Sequence, residues 1–489
     1  MRTPARGNRW PAPARRRVPR SVMLLTVAWL GAGCSSVPYE SGPAPAAPDT
    51  ERFLARTLAA PKAGTVPAID ATDAVAAGDT VTVATLLAAA LSRDRRLGGL
   101  IAGVDAALSA EDAVVRWRDP SLSVSLERHT LVDEIQSGRL GIGPQLSIVR
   151  RRDPAVAADR AARQIGTAAA RARAADGCWR TFDEVLAATA AYLAARQASE
   201  LAAEEVALLE RGAALATARV EAGLTPAIER ALLALSRNRA RIDAITRRAD
   251  AAEAKRALEA ALNLGPGALP ATLTIAYPLP TLSAALPPLA ELVGGAVTAR
   301  GDVLGALAAF EQSDATVRAE VAAQRPDLRL SPAYFFEQGD NIWSLLGGLV
   351  LPLAINHEPR IRAAMAVRAQ RLAEFDAVQD AALQDVASAR AGFLAARTAR
   401  EALAEVLDAA RADFDEVRAQ RRRGSLDELA LVLARHEVIR AGYDRIRLDR
   451  ALRDAGRRFA VATRRVLGNP GLADITGHCV ARAAEAPAP

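Results

Sequence analysis

Aromatic side chains are scarce in this sequence, at 4% of 489 residues, and so are the groups that much enzyme chemistry needs. Only four histidines occur, His129, His357, His436 and His478, and none stands at ligand spacing from another. There is no H-E-x-x-H, no G-x-S-x-G elbow and no glycine loop of the kind that cradles phosphate. The sequence is therefore read as a non-enzyme with no metal site and no cofactor. Long uncharged apolar runs are also missing beyond the first residues, so no transmembrane helix is expected. The formal charge of +7 does not mark a nucleic-acid binder. Seven arginines in residues 1–20 (Arg2, Arg6, Arg9, Arg15, Arg16, Arg17, Arg20) account for the whole excess, and the rest of the chain is near neutral. A basic footprint for phosphate is absent there.

What is present begins with a leader. A basic stretch without acids precedes the apolar residues 21–33 and then Cys34, the pattern of a secretory signal. Gly31-Ala32-Gly33-Cys34 resembles the bacterial lipobox. That resemblance implies cleavage after residue 33, lipidation of Cys34 and, through Ser35, an outer-membrane address; an ordinary signal cleaved nearby is the alternative. Residues 34–78, rich in Pro, Ala, Gly and Asp, read as a lipid anchor and extended linker.

The body reads twice. TVATLLAAALSRDRRLGGLIAGVDAALSAEDAVVRWRDPSLSVSL, from Thr82, aligns without a gap on the segment from Pro288 at an offset of 206. Leu86 falls on Leu292, Leu97 on Val303, Pro120 on Pro326 and Leu122 on Leu328. Each copy carries an amphipathic helix, then an apolar–polar alternation that predicts strands over about 120–128 and 326–337. Second strands are predicted over about 139–149 and 343–356, after loops suited to hairpins. Pro144, Pro332 and Pro352 predict strands that are short, bulged or at a rim there, since proline cannot donate to a ladder.

Each strand pair leads into a very long helix, 155–222 and 359–423. Glycine breaks at Gly223 and Gly424 follow, then return helices ending near Gly265 and Gly468. On the second long helix positions 372, 375, 379, 382, 386, 389, 393, 396, 400, 403, 407, 410, 414 and 417 step by three and four; Gln379 and Arg400 alone break their apolar character. A shorter seam runs Trp179, Phe182, Leu186, Thr189, Leu193. Steps averaging 3.5 predict coiled-coil packing. The domain reading is thus leader 1–33, anchor and linker 34–78, first repeat 79–275, second repeat 276–470 and C-terminal tail 471–489.

Four strands cannot close on themselves, and an open edge cannot sit in lipid. If these strands enter a membrane, copies must combine. Here the body, about residues 79–470, resembles the TolC family of outer-membrane efflux channels. The resemblance is carried by P-S-L-S-V-S-L from Pro120, P-D-L-R-L-S from Pro326, GLVLPLAI from Gly348, R-V-E-A-G-L-T around Gly223 and R-R-R-G-S-L around Gly424. RPDLRLSPAYFF followed by GLVLPLAI is most similar to the heavy-metal-efflux, CzcC-like branch. Where that branch has PLF-aromatic-G, this chain has PLAINHEPR. The resemblance implies a mainly α chain with a small β part. It implies a homotrimer with a twelve-stranded β-barrel in outer-membrane lipid, continued by a helical barrel through the periplasm. It implies a passive exit duct partnered by a periplasmic adaptor (a membrane fusion protein) and an inner-membrane RND-type pump. The alternative is a coiled-coil envelope lipoprotein or periplasmic scaffold without a pore.

Site expectations follow from the resemblance. Gly223, Leu224, Thr225, Arg421, Arg422, Arg423 and Gly424 mark the periplasmic tips and adaptor contacts, against the simpler reading of helix-turn glycines and solvated arginines. Asp413, Asp415, Glu416, Asp427 and Glu428 are candidate acids of a pore constriction. Tyr334, Phe335, Phe336 and Trp343 form a candidate membrane aromatic belt. Cys178 lies 45 residues before one tip, and Gly468 lies 44 residues after the other, shortly ahead of Cys479. At 1.5 Å per residue both thiols come to roughly the same height, so a Cys178–Cys479 disulfide is expected, two unpaired thiols being the alternative.

Overall fold

Two helices of 69 residues each dominate the fold, and composition explains their length. Alanine, leucine, arginine and glutamate are strong helix formers, and the sequence holds them without a breaker over many turns. At 1.5 Å per residue each runs for about 100 Å. The computed structural model describes residues 56, 59–60, 73–74 and 80–484, less 129–139, 152, 271–272, 282–285, 326, 338–339 and 351–353. These belong to one unit, Arg52–Pro489. Cys34 and most of the expected linker lie outside the described residues.

In chain order the elements are β1 (Ala59–Ala60), β2 (Asp73–Ala74), β3 (Thr80–Thr82), α1 (Val83–Arg93), α2 (Arg95–Asp112), β4 (Ser121–Arg128), β5 (Leu140–Arg150) and α3 (Asp153–Glu221). Then come α4 (Ala227–Ala261), β6 (Thr274–Ala276), α5 (Leu289–Ala299), α6 (Gly301–Ala322), β7 (Asp327–Glu337), β8 (Asp340–Val350), α7 (Ala354–Arg422), α8 (Glu428–Thr463) and α9 (Pro470–Ala484). The chain is mostly helical with a small sheet part, and the repeat is visible as α1-α2-β4-β5-α3-α4 followed by α5-α6-β7-β8-α7-α8.

The repeat is local in geometry too. Asp94 ends α1 and caps α2, its carboxylate accepting from Arg96 N at 2.9 Å and Leu97 N at 3.4 Å. Position 300, its counterpart, is Arg300, which caps nothing; its guanidinium reaches Asp302 and, at 3.1 Å, Asp385 of α7. Aliphatic and aromatic side chains of α1, α3 and α4 form the main core, with Leu86, Phe182, Leu186, Leu258 and Leu262 at 2% exposure or less. Val386 and Phe393 of α7 meet Leu292 of α5 and Phe459 of α8 in a second core.

Several expectations need correction. The second strand of repeat two stops at Val350, and the helix begins at Ala354, so Pro359 lies inside α7 rather than at its start. Proline fits the helical φ but has no N–H, so α7 lacks one backbone hydrogen bond in its second turn. Pro144 and Pro332 sit in mid-strand instead of at a rim. The β5–β7 ladder pairs Ile142 with Phe336, Gln145 with Ala333 and Ile148 with Leu330, so both prolines fall in its gaps. Helix α4 ends at Ala261, four residues before Gly265, and the left-handed residues that follow it are Asn263 and Gly267.

Within the expected C-terminal tail, α9 runs to Ala484 and buries Leu472, Thr476 and Ala483, spaced by four and seven. Asn469 starts it, accepting from Leu472 N at 3.2 Å. Two further pairings were not read from the sequence. Within the expected linker, β1 pairs antiparallel with β2. Short β3 pairs parallel with β6, which straddles the expected repeat boundary at 275.

Candidate functional site: the sheet and the two helix tips

The four long strands form one antiparallel sheet in the order β4-β5-β7-β8. Strand residues alternate between faces, and the register aligns the alternation across all four strands. One face carries Leu122, Val124 and Leu126, then Ile142, Leu146 and Ile148, then Leu328, Leu330, Tyr334 and Phe336, then Trp343, Leu345 and Leu349. Most of these are exposed, Leu126 at 67% and Trp343 at 79%. The other face carries Ser121, Ser123, Ser125, Gln145, Ser147, Arg329, Ser331 and Ser344, with glycines and a few apolar residues between. The apolar side is thus uncovered, the inverse of a water-soluble sheet.

The expected aromatic belt divides. Tyr334 and Trp343 are cross-strand partners with ring centroids 4.7 Å apart, and the Tyr334 hydroxyl donates to Asn341 Oδ1 at 2.6 Å. Phe336 shares their face. Phe335 does not: being one residue out of phase, it lies on the polar face, over Gly143. A Cβ built on Gly143 would stand 2.2 Å from the Phe335 ring, so only glycine fits beneath it.

At the far ends of the long helices the two tips are near copies. Gly223 has φ of 71° and Gly424 of 81°. Leu224 N donates to Arg219 O at 2.9 Å, and Ser425 N to Gln420 O at 3.1 Å. This is the Schellman closure, in which a left-handed glycine satisfies the last carbonyls of the helix. Leu224 is 73% exposed at the first turn, and Thr225 is half-buried.

The acids and arginines of the tips are largely engaged with one another. Asp427 caps α8, accepting from Ala430 N at 2.9 Å, and pairs with Arg219 of the first tip. Glu428 pairs with Arg421, and Glu416 with Arg423 at 3.3 Å. Asp413, Asp415 and Arg422 are exposed.

A ladder of polar contacts between α3 and α8, which joins the two repeats, was not legible in the sequence. Asp176 pairs with Arg464, Asp183 with Arg457 and Glu204 with Arg435. Glu205 accepts from the Tyr443 hydroxyl at 2.7 Å and meets His436 Nε2 at 2.9 Å. The bond to His436 holds the Glu205 carboxyl below its usual range, assisted by Tyr443 and Arg247 against the opposing effect of burial. Burial pushes the Asp176 carboxyl up despite Arg464 beside it. Each of these side chains alone reads as part of a solvated helix face, so periodicity could not have paired them.

Cys178 of α3 is fully buried and is disulfide-bonded to Cys479 of α9. The staple fastens the last helix to the first long one.

No family model and no curated protein matches this sequence. Solved structures do. The outer-membrane channel OprN superposes with a TM-score of 0.65 at 18% identity, covering 86% of this chain and 98% of that one. The outer membrane protein VceC from Vibrio cholerae gives 0.63 at 17%, covering 78% and 95%. CusC, solved in a study of folding and transmembrane channel formation, gives 0.60 at 17%, covering 78% and 91%. At such identities the likeness speaks for fold, and it agrees with the duplicated helix–hairpin–helix order: this chain has the fold of the TolC-family outer-membrane channels.

Proposed function

We propose that this chain is one protomer of an outer-membrane exit duct, a passive channel that receives its substrates from an inner-membrane pump through a periplasmic adaptor. The observation that carries the reading is the sheet. Its apolar face is uncovered, its opposite face is polar, and among the described residues no strand pairs with the outer edges of β4 and β8. A polar–apolar alternation with lipid outside and water inside is what a membrane barrel requires. Only a closed barrel satisfies the edges in lipid. Three copies joined β8 to β4 supply twelve strands, and the paired long helices continue the wall into the periplasm. No single described helix is long and apolar enough to cross a membrane.

In this reading Cys34 carries the lipid anchor, Tyr334, Phe336 and Trp343 sit at headgroup level, and the tips at Gly223 and Gly424 close the duct and meet the adaptor. Asp413 and Asp415 are the tip acids left to line a constriction. Transport energy would come from the pump, because the duct has only to hold a water-filled path and open its end.

The test is the mass and shape of the mature protein extracted from outer membranes in detergent. A three-chain particle with a ring in end view and a tube of about 100 Å, as the helix rise requires, is the expected result. A monomeric or dimeric rod without a ring would overturn the duct and favour a pore-less scaffold.

A further inference from the structure

The apolar face of the sheet ends, on the side where the helices begin, at an exposed tryptophan beneath a guanidinium. Residues 116–118 continue alongside β5 past the end of β4. Trp117 bridges Arg150, Arg118 N donates to Val149 O at 3.1 Å, and Arg151 N donates to Arg116 O at 3.0 Å. Arg150 is in phase with Ile148, Leu146 and Ile142, so Trp117 stands on the apolar face. It is 54% exposed, and the Arg150 guanidinium carbon lies 6.0 Å from its ring centroid. Arg150 reaches Asp153 at 3.5 Å, but Arg116 shares that carboxylate at 3.6 Å, so the site keeps a net positive charge.

Position supports a membrane boundary here. At the loop end of the sheet Arg128 pairs with Leu140. From Leu140 to Arg150 is ten steps along β5, about 33 Å of strand at 3.3 Å per residue. With strands tilted by about 40° this is about 25 Å of height, the thickness of the apolar band of outer-membrane barrels. Another copy of the chain is not the occupant of this face, because copies join at the edges β4 and β8. An indole with one apolar and one polar edge suits the acyl–headgroup boundary, and a guanidinium pairs well with phosphate.

We infer that Trp117 and Arg150 form the lipid contact of the periplasmic leaflet, the indole at the acyl–headgroup boundary and the guanidinium on the phosphate of an anionic phospholipid. The inference rests on the barrel reading and adds its lipid chemistry. Trp343→Phe removes the other lipid-facing tryptophan. Trp179 is buried in the helical core at 8% exposure, and Trp10 and Trp29 belong to the leader. Full mature protein carrying that change is placed in phosphatidylcholine vesicles containing phosphatidylglycerol, with one or the other lipid brominated on its acyl chains near the headgroup.

Brominated phosphatidylglycerol should quench Trp117 beyond its mole fraction, corresponding to about fivefold local enrichment for one effective arginine. Arg150→Gln should return quenching to that of brominated phosphatidylcholine. Equal quenching by both lipids in the parent would overturn the lipid preference while leaving the barrel standing. No quenching by either lipid from protein that floats with the vesicles would overturn the boundary at Trp117. Protein that does not float at all would overturn the barrel reading itself.

Discussion

Arg219, near the end of the first long helix, is ion-paired with Asp427, the residue that caps the return helix of the second. One carboxylate therefore serves a helix start and a link between the two tips. Asp427→Asn keeps a good cap and removes the charge; Asp427→Ala removes both. Loss of the cap should cost about 1 kcal/mol, visible as a lower melting temperature for the alanine variant alone. Both variants should open the tip more readily, read as a higher open probability in planar bilayers. Unchanged gating in both would separate this pair from closure.

The contact of Glu205 with His436 and Tyr443 has a definite pH sign. Its carboxyl is held below the ordinary value of 4.5, first by the His436 bond. A depressed carboxyl contributes stability that is present above its unfolded value and is lost as pH falls through the folded one. Thermal stability should therefore drop on acidification below about pH 4.5, and Glu205→Gln should flatten that part of the profile. An identical acid limb in the variant would show that Glu205 is not its source.

Arg400 interrupts the seam of α7 and is balanced by Asp449 of α8, both half-buried or deeper. Arg400→Ala strands a carboxylate and should destabilise by about 1–3 kcal/mol. The pair of changes Arg400→Leu with Asp449→Leu restores an apolar seam and should be close to neutral. Chemical denaturation of the two variants distinguishes the cases.

Gly143 and Phe335 should behave as a coupled pair. Gly143→Ala forces the ring away and should lower the yield of inserted protein, and adding Phe335→Ala should recover it. Failure of the second change to rescue would mean that Gly143 is needed for its backbone rather than for the space above it.

The Cys178–Cys479 bond predicts no free thiol at either position in unreduced mature protein. Replacing both with serine should cost about 2–4 kcal/mol, and α9 should become the first segment released by limited proteolysis.

The long helices, the glycine tips, the four strands and the duplication were legible in the sequence because each rests on a local period. From Phe375 to Val417 every expected seam position is buried or half-buried, Gln379 and Arg400 included; only Leu372, at 40%, is exposed. The C-terminal helix was missed although Leu472, Thr476 and Ala483 have helical spacing, because the Ala- and Pro-rich end masked fifteen residues of pattern. Other features depend on separations that no local pattern encodes. Phe335 left its aromatic neighbours because a one-residue step in a strand reverses the face. The α3–α8 contacts pair residues more than 200 positions apart, where charges that look solvated one at a time become partners. Period and composition alone were enough to determine the long helices, the four long strands and their order in this protein. Which face is uncovered, which arginine meets which acid and where glycine is obligatory were decided only when those elements packed, because register and interhelical contact are properties of pairs of elements.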